Sequence, residues 1–191
     1  GGSDFAITFT ERDAAKLLED ALDASVTDVD NTSLASLTVV ITNLFDTGFE
    51  TLSADVAGTS ITAGYVTVPG APGTGTLTLS GPDTLANFET VLRKVRYVNT
   101  SNAPNVTPRA ILFVANDGAT NGNTAVSTVT VVSVDTNPTA VADAATVLED
   151  AAATAVGVLA NDTDPDGGPM SITSVTQPAN GTVAITGGGT G

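Results

Sequence analysis

The chain has 191 residues, 21 acidic and 6 basic, for a formal charge of −15 at neutral pH, and it contains no Cys, His or Trp. That length suits one large or two modest domains, and two is the expected count. Nucleic acid and anionic lipid surfaces would be repelled, so the fitting charged partner is a cation.

Thr, Val, Ala, Gly, Ser and Asn dominate and aromatic residues make up only 4%. Thr and Val favour strands while Gly, Asn and Asp favour turns, which predicts an all-β chain. No run of 18 apolar residues occurs, so no membrane insertion is expected. No signal-peptide pattern opens the sequence, and its Gly-Gly-Ser start and Gly-Thr-Gly end read as cut points in a longer polypeptide. A cysteine-free repeat outside the cell needs a staple other than disulfides, and carboxylate-held metal ions supply one.

In chain order, Asp13 to Ala24 has helical composition, but its place in the repeat described below assigns it to a strand or irregular edge. Leu37-Thr-Val-Val-Ile-Thr and Gly75-Thr-Leu-Thr-Leu-Ser read as strands. Leu85, Phe88, Val91 and Leu92 then recur at helical spacing, predicting one short helix over 84–93 with Asp83 or Thr84 as N-cap. Ala110-Ile-Leu-Phe-Val-Ala and Ala125-Val-Ser-Thr-Val-Thr-Val-Val-Ser-Val follow as strands, separated as in a sandwich by Gly, Pro, Asn and Asp clusters. The proline-containing run from Val134 to Ala140 marks a boundary, giving a first domain over 3–136 and a second over 137–191.

An internal repeat links the two. Thr27-Asp28-Val29-Asp30 recurs as Thr163-Asp164-Pro165-Asp166, followed by Ser-Leu-Thr and Ser-Ile-Thr respectively, with Glu11 and Glu149 upstream. The second copy has about 55 residues, whereas a sandwich domain needs about 100. It is therefore expected to be incomplete, either truncated or completed by strands of another chain.

Calcium takes six to eight oxygen ligands, and closely spaced carboxylates with amide and backbone oxygens provide them. In extended backbone Asp28 and Asp30 share a side, as do Asp162, Asp164 and Asp166 in Asn161-Asp-Thr-Asp-Pro-Asp-Gly. Asp-Pro-Asp-Gly-Gly is equally good turn chemistry. The repetition, the negative charge and the absence of Lys or Arg beyond residue 109 favour Ca2+. An EF-hand loop would need a bidentate Glu where Thr173 stands, so that motif is rejected. Gly187-Gly-Gly-Thr-Gly lacks the aspartate of a glycine-rich calcium repeat and reads as a flexible turn.

Gly157-Val-Leu-Ala-Asn-Asp-Thr-Asp-Pro-Asp-Gly resembles the cadherin-like and bacterial immunoglobulin-like tandem repeats of large secreted surface adhesins of the RTX type. The first domain resembles a sister repeat through Phe9-Thr-Glu, Asp28-Val-Asp, Leu77-Thr-Leu-Ser-Gly, Val95-Arg-Tyr-Val-Asn-Thr-Ser and Phe113-Val-Ala-Asn-Asp-Gly. The resemblance implies Greek-key β-sandwich repeats in tandem, exported to the cell surface or beyond, with calcium between successive domains. Carried over, Glu11, Asp135 and Asn137 would meet Asp162, Asp164 and Asp166, while Asp28, Asp30 and Asp117 would face a preceding repeat. The linker is poorer in acids than the cadherin pattern, no mid-domain second-glutamate motif is evident, and the first domain is longer.

The leading expectation is a calcium-stiffened structural or adhesive module whose partners are neighbouring repeats. Homotypic assembly into fibres or a surface layer, and a glycan or cell-surface target, are the alternatives. For a sugar, Tyr65 in a Gly-rich loop is the candidate platform, since Tyr97 lies in an apolar strand. Without His or Cys there is no nucleophile–base pair, and the repeated acids make poor candidates for a single catalytic pair, so no enzyme is expected. Arg93, Lys94 and Arg96 after the helix are read as dipole and solubility chemistry.

Overall fold

The structure, a computed structural model, describes residues 5–19 and 24–189. It comprises two compact units, Gly1–Val134 and Asp135–Gly191.

The first unit is an all-β sandwich. Its strands are β1 (Phe5–Thr10), β2 (Lys16–Leu17), β3 (Ser33–Leu44), β4 (Glu50–Ser53), β5 (Thr62–Val68), β6 (Gly73–Thr84), β7 (Arg96–Asn99), β8 (Arg109–Asn116) and β9 (Asn121–Val132). A six-stranded sheet runs β1-β9-β8-β3-β6-β5 and a three-stranded sheet runs β2-β7-β4. Period-two alternation creates the core: Leu37, Val39 and Ile41 of β3, Leu77 and Leu79 of β6, and Ile111 and Phe113 of β8 turn inward. The sheets meet where Phe9 and Tyr97 pack edge to face, their ring centroids 5.3 Å apart. Burying each such ring stabilises the fold by about 1.5–3 kcal/mol.

The expected strands form and are longer than their apolar runs, because β6 and β9 pair along both edges. The helix α1 spans Leu85–Leu92 and buries Phe88, Val91 and Leu92. Thr84 is its N-cap, the hydroxyl accepting from the Asn87 backbone N–H at 3.2 Å. Asp83 braces the same corner, accepting from the backbone N–H groups of Thr84 and Ser60, both at 2.7 Å.

The helical composition after Asp13 is overridden. Arg12 adopts a left-handed φ of 68°, β2 pairs with β7, and Leu18 is fully buried with its N–H donating to Val95 O at 3.0 Å. Residues 20–23 of that stretch lie outside the described residues. The basic residues after α1 tie down local chain: Arg93 Nε donates to Ala24 O at 3.0 Å, Lys94 pairs with Asp55 at 3.1 Å, and Arg96 Nη1 donates to Ala15 O at 3.1 Å.

The second unit has no strand among its described residues. It holds an isolated antiparallel bridge, Thr139 to Thr163, and a 3₁₀ turn at Gly187–Gly189. Every residue of the buried hydrophobic cluster precedes Val132, while Val141, Val147, Leu148, Val156, Val175, Val183 and Ile185 stay exposed.

Candidate functional site

In the first unit, β3 and β8 are neighbours with Ser36 opposite Asn116, so the turn after β8 lies beside the segment entering β3. This register brings Asp117 to Asp28 and Asp30. Asn31 joins them, its Nδ2 donating to Asp117 Oδ2 at 3.2 Å and Asp30 Oδ1 at 3.3 Å. Asp28 Oδ1 accepts from the backbone N–H groups of Asp30 and Asn31 at 3.1 and 3.0 Å. Asp117 Oδ1 accepts from those of Ala119 and Thr120, both at 2.7 Å, in a turn that Gly118 closes with φ 103°. Asp28 and Asp117 are held below the usual carboxylate range, chiefly by these backbone donors. Asp30 is pushed up, first by sharing a hydrogen bond with Asp28 and then by the Asp28 and Asp117 charges.

The donor set here is all oxygen, as a hard cation such as Ca2+ requires and zinc does not. Among the described residues, no group of three or more His, Cys, Asp or Glu is arranged to hold a metal ion. Asp28, Asp30 and Asp117 are therefore an open cluster, with lone pairs left after the turn hydrogen bonds.

Glu11 follows β1 and is buried, its side chain 0% exposed. Its N–H donates to Val132 O at 2.8 Å and its Oε2 accepts from the Val134 N–H at 2.9 Å, fastening the end of the unit to β1. Oε1 lies 3.1 Å from Arg12 Nη2 yet has no hydrogen bond of acceptable geometry. The Arg12 guanidinium supplies the positive charge opposite this buried oxygen, and a metal ion binding there would compete with it.

In the second unit, Asp162, Asp164 and Asp166 are half-buried while residues 161, 163, 165 and 167 are exposed, a period-two alternation. Asp162 Oδ1 accepts from the Val141 N–H at 2.7 Å, Asp166 Oδ2 from the Thr136 N–H, and Asp164 Oδ1 from the Asp166 N–H at 2.9 Å. Flanking the Thr139–Thr163 bridge, Asp162 and Asp166 stitch residues 136–141 to the acidic turn. Asp135 and Asn137 are exposed. An open groove of about 430 Å³ lies within this unit, lined by Val141, Val158, Leu159, Met170 and Ile172 among others.

The polar cluster that sequence reasoning missed is in the core. Arg109 is fully buried between the sheets, and its guanidinium donates to Glu50 Oε1, to Thr107 O and, at 2.8 Å, to Asp46 Oδ2. It also stacks 5.1 Å from the Phe45 ring centroid. Glu50 Oε1 accepts from Tyr97 Oη at 2.6 Å and Oε2 from the Asp46 N–H at 3.0 Å. Asp46 Oδ2 accepts from Asn99 Nδ2 at 2.7 Å. The available signal was parity: Arg109 shares the inward register of Ile111 and Phe113, and Glu50 that of Leu52.

Tyr97 lies in the core, as its apolar strand predicts. Tyr65 corrects the expectation: it sits in β5 rather than a loop, because Gly75 on the paired strand leaves room for its ring. Its hydroxyl donates to Glu50 O at 3.2 Å, so the ring is packed against the sandwich rather than offered to a sugar.

A family model described as a bacterial Ig domain matches residues 135–190, within the second unit. Neither a curated protein nor a solved structure matches the chain.

Proposed function

We propose that this chain is a calcium-binding structural and adhesive repeat module of an extracellular or cell-surface protein, without catalytic activity. The bacterial Ig domain match supports a structural repeat and an extracellular setting. The juxtaposition of Asp28, Asp30 and Asp117, bridged by Asn31, carries the calcium reading: the hydrogen bond Asp30 shares with Asp28 and the neighbouring carboxylate charges push Asp30 up, and a divalent cation would offset that repulsion. Glu11, with its buried Oε1 lacking a hydrogen bond, is a second ligand candidate. The sequence resemblance groups it with Asp135, Asn137, Asp162, Asp164 and Asp166, and on this reading bound calcium stiffens the repeat array.

Calcium binding only to the native state raises stability by mass action. The melting temperature should rise in millimolar CaCl2 and fall in EDTA. Asp28→Asn with Asp117→Asn should abolish part of that difference and Glu11→Gln another part. A melting temperature indifferent to both calcium and chelator overturns the calcium reading.

A further inference from the structure

We infer that the outward face of the six-stranded sheet is a self-association surface on which a second copy of this chain packs face to face. The inference goes beyond the calcium reading and does not depend on it. It rests on an absence of charge where charge is the norm. Residues 5–10, 36–42, 62–68, 74–80, 110–116 and 124–132 form the paired body of the sheet and contain no Asp, Glu, Lys or Arg. Solvated sheet faces ordinarily alternate apolar-in with charged or polar-out, and protein surfaces are about a quarter to a third charged. Here a chain of net charge −15 keeps all its charges off one broad face.

The register aligns that face in rows. Val66 lies opposite Thr76, Thr76 opposite Val40, Val40 opposite Leu112 and Leu112 opposite Val126. All five turn away from the core, and Val66 is 65% exposed. The edge strand β5 continues the pattern with Val68, exposed and free of the Lys, Pro or bulge that usually protects an edge. Thr and Val have stiff χ1 angles, so ordering them at an interface costs little entropy.

The occupant follows from chemistry and size. Among the described residues, none on the outward register of these six strands is aromatic, so the face offers no ring to stack on a sugar, and the overall charge disfavours nucleic acid and anionic lipid. Six strands spaced about 4.8 Å apart, with about six residues each at 3.3 Å, present roughly 600 Å² of plan area per copy. Two such faces bury about 1,200 Å², the lower edge of a specific interface. Sheets stack face to face about 10 Å apart, and an uncharged surface lets two acidic copies meet without desolvating a carboxylate. In a two-fold arrangement Val40, central in its row, lies near its counterpart.

The test is sedimentation velocity of the full chain in EDTA, which keeps the calcium question separate. The wild type should shift toward dimer with concentration, and added NaCl should strengthen the shift by screening repulsion elsewhere. Val40→Glu and Thr76→Glu should each weaken dimerisation by more than about tenfold, with circular dichroism confirming the fold. Thr51→Glu, on the other sheet, should leave it unchanged, and mixing Val40→Glu with Val40→Lys should restore a heterodimer. A wild type monomeric up to millimolar concentration overturns the inference. So do Glu variants that dimerise like wild type, or a monomer whose face instead retains a glycan.

Discussion

Arg109→Met isolates what the buried ionic network contributes. The substitution keeps most of the aliphatic volume and removes the donors to Glu50, Thr107 and Asp46 together with the contact on Phe45. Breaking a buried pair from one side costs about 3–5 kcal/mol, because the remaining charge is left in the interior. Glu50 is not abandoned, since Tyr97 Oη and the Asp46 N–H still reach it, so the lower part of that range applies. Set against a typical stability of 5–15 kcal/mol, about 3 kcal/mol is a large fraction, equivalent to about 10 °C in melting temperature. Guanidinium unfolding followed by far-UV circular dichroism measures it. Adding Glu50→Gln to Arg109→Met should recover part of the loss, because Gln removes the stranded charge while its amide oxygen can accept from the Asp46 N–H and its NH2 can donate to Tyr97 Oη. A single-variant cost under about 1 kcal/mol, or a double variant no better than Arg109→Met, refutes the reasoning.

Three further outcomes follow from the geometry. Burial and the nearby Glu50 charge push the Tyr65 hydroxyl up to about 12 and raise that of Tyr97 as well. Both folded values exceed the unfolded one, so the native state holds the extra protons. Their stabilisation is complete below about pH 10 and declines above it, and spectrophotometric titration should show both tyrosines ionising late. Normal titration of both would refute this. Gly75→Ala should cost about 1–3 kcal/mol in denaturant unfolding, because the new methyl meets the Tyr65 phenol, and Tyr65→Ala in the same background should remove the clash. Asp162→Ala should speed hydrogen exchange at the Val141 amide and leave that of Leu18 unchanged; equal exchange before and after would refute the stitch.

Much of the first unit was legible in its sequence. Leu37 to Thr42 and Ala110 to Ala115 are short runs rich in β-branched and apolar residues, bounded by Gly, Pro, Asn and Asp clusters, and such runs read as strands. Leu85, Phe88, Val91 and Leu92 at helical spacing after Thr84 likewise specify a capped amphipathic turn. The stretch from Asp13 could not be read from composition, because its backbone was decided by β7 and by the pocket that receives Leu18. The internal repeat made Asp28 and Asp30 recognisable in the sequence, and Asp117 was added by the family resemblance. Their meeting depends on the β3–β8 register, which no local pattern encodes.

The amino-acid sequence by itself therefore determined the all-β class, the short helix and the acidic repeat, because these follow from local periodicity and turn residues. Tertiary structure alone decided that Arg109 and Glu50 share the core, that Tyr65 is packed over Gly75, and that the uncharged rows of six strands form one continuous face. Each of those depends on strands distant in sequence being brought into register, and register is set by the whole buried face rather than by any one segment.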